Sequence, residues 1–163
     1  MEHEIEWNVE FTNLTDTSNP WTNKKTPRFL HSDSSNEQYM YLLGRHWGKA
    51  SIFRFQKNNA NINWYLQVNN NQNDTTPNSK MTDILDYVQP VGYNSLFVCG
   101  FAFDDAENEG TKKYATFMKV TTNGRVEQFY KWGQGLDNQP DNCRSIAFDY
   151  NKREIVLLLE VTS

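Results

Sequence analysis

The chain has 163 residues, enough for one domain or part of one, with a formal net charge of −4 and aromatics at 14%. An acidic pI near 5.4 gives no basic footprint, which argues against a nucleic-acid or anionic-membrane partner. Few but large apolar side chains suit pleated sheets better than a helical bundle.

The N-terminal stretch MEHEIEW is acidic and lacks the apolar run of a signal peptide. From Ile5 to Phe11, IEWNVEF reads as a strand. An apolar run follows in EQYMYLLGRHWG, and then ASIFRFQKNNANINWYLQV at 50–68 reads as two strands around a polar turn. The central segment gives four strands, at 82–88, 95–103, 114–121 and 125–132. Met81, Ile84, Leu85 and Val88 also fit the i, i+3, i+4, i+7 spacing of a short helix, as do Cys143, Ile146, Ala147 and Tyr150. Strand is expected because the segments are short and occupy the same place in two copies of one pattern. Asn123-Gly124 is a hairpin-turn signal, with glycine supplying φ > 0. The chain closes on REIVLLLEVTS, a further apolar strand.

These segments recur. ATFMKVTTNGRVEQFYKW at 115–132 lies over the stretch at 50–68, with Ala50 over Ala115, Arg54 over Lys119 and Phe55 over Val120. Tyr41-Leu42-Leu43-Gly44 lies over Phe97-Val98-Cys99-Gly100, and Ile155-Val156-Leu157-Leu158 follows without the glycine. A spacing of roughly sixty residues, built from strands, predicts an array of four-stranded units such as a propeller.

The order of these residues resembles the β-propeller repeat family, a divergent class of secreted and surface proteins. Gly100, Ala115, Phe117, Lys119, Gly124 and Trp132 fit its repeat, as do Ile146, Asp149 and Asn151, and the first copy departs with NNAN in place of the turn glycine. The resemblance implies an all-β fold of four-stranded antiparallel blades, present as an incomplete segment of a larger propeller. Residues 1–11 would be an outer strand of a preceding blade, 28–68 and 82–132 two blades, and 143–163 the start of another. It also implies an extracellular or cell-surface location. It implies no chemistry, since each matched position is a turn or packing residue.

Site chemistry is sparse. Asp105, Glu107 and Glu109 alternate in the loop Asp104 to Gly110, but glutamates replace the short ligands of a calcium loop and two lysines follow, so a solvated hairpin tip is expected. Asn13 and Asn73 stand in glycosylation sequons. Arg45, His46 and Trp47 follow Gly44 at a strand end, where a guanidinium beside an aromatic can bind a sugar or peptide. Cys99 and Cys143 lack metal spacing and read as two buried thiols, with one disulfide as the alternative. No nucleophile elbow, phosphate loop or paired-carboxylate motif occurs, and no metal or cofactor is expected. The expected function is a non-catalytic scaffold, completed by the remainder of a longer chain or by other subunits. A carbohydrate- or small-ligand-binding propeller is the alternative, and an enzyme comes after it.

Overall fold

A computed structural model describes residues 26–46, 49–68, 81–103, 113–132 and 140–161. They form an all-β antiparallel structure, with no helix among the described residues. The strand expected at Ile5 to Phe11, both sequons, the acidic segment at 104–110 and Trp47 lie outside those residues.

The first sheet runs in the order β1 (Thr26–Ser32), β2 (Tyr39–His46), β3 (Lys49–Gln56), β4 (Ile62–Gln67). The second repeats that order with β5 (Asp83–Val88), β6 (Ser95–Phe103), β7 (Lys113–Thr121) and β8 (Val126–Trp132). A terminal hairpin pairs β9 (Asn142–Asp149) with β10 (Glu154–Glu160). The second sheet lies between the other two units, with β5 against β2 and β3, and β9 against β5, β6 and β7.

This placement explains β6. A strand alternates its side chains between faces. Leu96 and Val98 enter the core shared with Tyr41, Leu43, Ile52 and Leu66, whereas Phe97 and Cys99 enter the one shared with Cys143 and Ile146. Both faces are covered, so the sequence is apolar without alternation. Full burial of a side chain such as Leu96 or Ile52 contributes about 1.5–3 kcal/mol.

The irregularities of the three units match as well. One residue bulges from each first strand: Arg28 opposite Leu43 and Gly44, Leu85 opposite Cys99 and Gly100, and Arg144 opposite Leu158 and Leu159. A second shift recurs between Arg54 and Phe55 and between Lys119 and Val120. The bulges also account for the helix-like spacing. An extra residue lets Ile84 and Tyr87 reach one core, and Cys143 and Ile146 the other, at intervals of three along a strand.

Candidate interaction surface

The joint between the two sheets is fastened by a buried polar cluster. Asp33, in the turn after β1, is fully buried. Its carboxylate accepts from Arg54 Nε at 2.9 Å and Nη2 at 2.7 Å, from Tyr41 Oη at 3.0 Å and from Gln89 Nε2 at 2.9 Å. The Ser35 amide and hydroxyl donate to it at 2.9 and 2.6 Å. Gln89, at the end of β5, also accepts from the Ser34 amide at 2.9 Å, so one side chain grips the turn of the neighbouring sheet at two points. Burial alone would raise the Asp33 carboxyl, but the bonds from Ser35, Gln89 and Arg54 outweigh it and bring it down to about 2. Burial and the adjacent carboxylate push Tyr41 well above its ordinary range. Arg54 also stacks 3.8 Å over the Tyr39 ring and donates to Asn63. With its acceptor positions filled, the Asp33 carboxylate serves packing rather than substrate chemistry.

Further bonds tie the same joint. Trp64 Nε1 donates to the Thr122 carbonyl at 2.8 Å, and Arg28 Nε donates to Asp83 at 3.0 Å. At the second joint, Asp86 accepts from the Ser145 hydroxyl at 2.7 Å and the Ile146 amide at 2.9 Å, and Tyr150 Oη accepts from the Val91 amide at 3.2 Å. Each joint thus combines an apolar centre with polar clamps.

The terminal hairpin has one such joint on its inner face and an apolar face opposite. Ile155, Leu157 and Leu159 pack inward against the second sheet, so Val156 and Leu158 point outward. By the matching bulges, Val156 occupies the place of Tyr41 and Phe97, and Leu158 that of Leu43 and Cys99. Those four are between 0% and 7% exposed, whereas Val156 and Leu158 are 55% and 62% exposed. The exposed Ala147 and Ser145 pair with them on β9, and the ion pair of Arg144 with Glu160 rims one end. Among the described residues, β10 pairs on one side only, whereas β2 and β6 are flanked on both. An apolar face with a polar rim beside a free strand edge has the anatomy of an interaction surface.

Of the site residues singled out in the sequence, Arg45 and His46 are described, and both stand on β2 of the first sheet. His46 is buried, with Nδ1 2.9 Å from Tyr65 Oη and its ring against Phe53 and Tyr65. Strand alternation sends Arg45 to the opposite face from His46. No group of three or more His, Cys, Asp or Glu that could hold a metal occurs among the described residues. A shallow pocket of about 180 Å³ lies between Gln38, Gln56, Lys57 and Asn58, below the few hundred Å³ usual for a small-molecule site. No helix among the described residues is long and apolar enough to cross a membrane.

The Asp33 cluster and the exposed hairpin face were not singled out in the sequence. The cluster joins positions far apart in the chain. The hairpin face had one signal, the apolar run Ile155 to Leu159. But the four-residue match set Leu158 over Gly44 and Gly100, one residue out of the register that the bulges fix, and a slip of one exchanges the two faces. In comparisons with known proteins, no family model and no curated protein matches the chain.

Proposed function

We propose that the chain is a non-catalytic segment of a β-propeller acting as a structural or protein-interaction scaffold, with the outer face of its terminal hairpin as the seat for a further sheet. That sheet comes from the remainder of a longer chain or from another subunit. The reading is supported by two meanders of the same strand order, bulges at matching positions and joints that share an apolar centre with polar clamps. Propellers close with four to eight such sheets. One observation carries the proposal: Val156 and Leu158 are exposed where Tyr41, Leu43, Phe97 and Cys99 are buried by the next unit.

A photoreactive benzoylphenylalanine at Leu158 tests it, with the same probe at exposed Ile62 on β4 as control. Illumination in the native-source extract should join position 158 to a β-strand peptide of another sheet, with the position 62 probe giving a different pattern. Products confined to the hairpin itself would count against the proposal. Binding on a glycan array, lost on substitution of Arg45, would favour a ligand-binding propeller instead.

A further inference from the structure

The second joint contains a pair of groups that its packing role does not require. Cys99 on β6 and Cys143 on β9 are both fully buried in the cluster that includes Phe97, Ala115, Phe117 and Ile146. The Cys99 thiol donates to the Cys143 carbonyl at 3.1 Å, and the two thiols neighbour one another. The cysteines are 44 positions apart in the chain and belong to different sheets.

We infer that Cys99 and Cys143 form a thiol pair that oxidation closes into an intramolecular disulfide, fastening the terminal hairpin to the second sheet. The Cys99 thiol already touches the Cys143 backbone across a single interface, within one buried cluster. The seated pair is protected. The neighbouring thiol and burial raise the Cys99 thiol far above its ordinary range, and the thiolate is the reactive form. Access therefore follows lifting of the hairpin. Among the described residues that unit has two strands and one exposed face, so it opens more readily than the doubly covered second sheet.

A small disulfide such as oxidised glutathione is a sufficient oxidant. One protein thiolate attacks a glutathione sulfur and expels a glutathione thiolate, which takes up the released proton. The second protein thiolate then attacks the mixed disulfide and expels the other glutathione. Two protein thiols lose two electrons and two protons, and one glutathione disulfide becomes two thiols. Because the bridge closes a long loop, it stabilises the folded state by restricting the unfolded chain.

The test treats the purified chain with oxidised glutathione at increasing sub-denaturing urea, quenches with iodoacetamide and reads intact mass and peptide maps. The wild type should lose the mass of two hydrogens and yield a linked Cys99–Cys143 peptide, at a rate that rises with urea. The oxidised protein should melt higher than the reduced one, and dithiothreitol should reverse the shift. Cys99→Ser and Cys143→Ser should each stop at a glutathione adduct. A lasting adduct or a disulfide-linked dimer in the wild type would overturn the inference. So would no reaction below the unfolding transition, or a bridge that lowers the melting midpoint.

Discussion

The indole of Trp64 on the first sheet fills the space that a side chain at Gly124, in the β7–β8 turn of the second, would need. A Cβ at position 124 would stand 2.8 Å from Trp64 Cδ2, and the indole is held by its bond to the Thr122 carbonyl. Gly124 also has φ +84°, which β-branched residues resist. One glycine thus serves both the turn and the joint. Gly124→Val should destabilise by roughly 1–3 kcal/mol from backbone strain and collision together. In a Trp64→Ala background the collision is gone, and the same substitution should cost less, by on the order of 1 kcal/mol. Urea unfolding of the four proteins checks this. Equal costs in both backgrounds would show that the contact contributes nothing.

Gly100 is constrained differently. A Cβ there would lie 2.0 Å from the Asp83 carbonyl oxygen, a backbone atom beside the Leu85 bulge. Gly100→Ala should cost roughly 2–4 kcal/mol, because a strand must move. Gly92 has φ +84° but no atom within 4 Å of a Cβ, so Gly92→Ala should cost only about 1–2 kcal/mol. Thermal or urea midpoints should rank the variants in that order, and the reverse order would contradict the close approach.

How much was legible beforehand follows from these contacts. The Asn123-Gly124 turn and the doubly covered β6 follow from local rules, because dihedral preference and lack of alternation are written in adjacent residues. Strand β5 was ambiguous for a physical reason: the Leu85 bulge gives a strand the three-residue interval of a helix. Arg54 aligned with Lys119 but showed no sign of its partner, because Asp33 reaches it only through folding. Cys99 and Cys143 lacked any recognisable spacing, because a joint between sheets imposes none.

The Asp33 cluster sets an acid limb of stability. Its carboxyl is held at about 2 against an ordinary 3.8, so the folded state favours the carboxylate. This contribution is fully present above pH 4, is lost as pH falls through 4 towards 2, and amounts to roughly 2–3 kcal/mol. Asp33→Asn should remove that part of the acid limb. At neutral pH it should cost about 3–5 kcal/mol, because the Arg54 guanidinium is left buried without its counter-charge. Urea midpoints measured from pH 2 to pH 7 separate the two effects. An unchanged acid limb in the variant would move the titration to another group.

The outer face of the hairpin is tested most directly by sedimentation velocity of the purified chain beside Leu158→Glu. A charge at a position 62% exposed leaves the inner joint intact, so the variant should keep its β circular dichroism. The account predicts that the wild type associates increasingly with concentration through its uncovered apolar face, and that Leu158→Glu sediments as a monomer of 19.1 kDa. A wild-type chain that remains a sharply melting monomer at every concentration would contradict it.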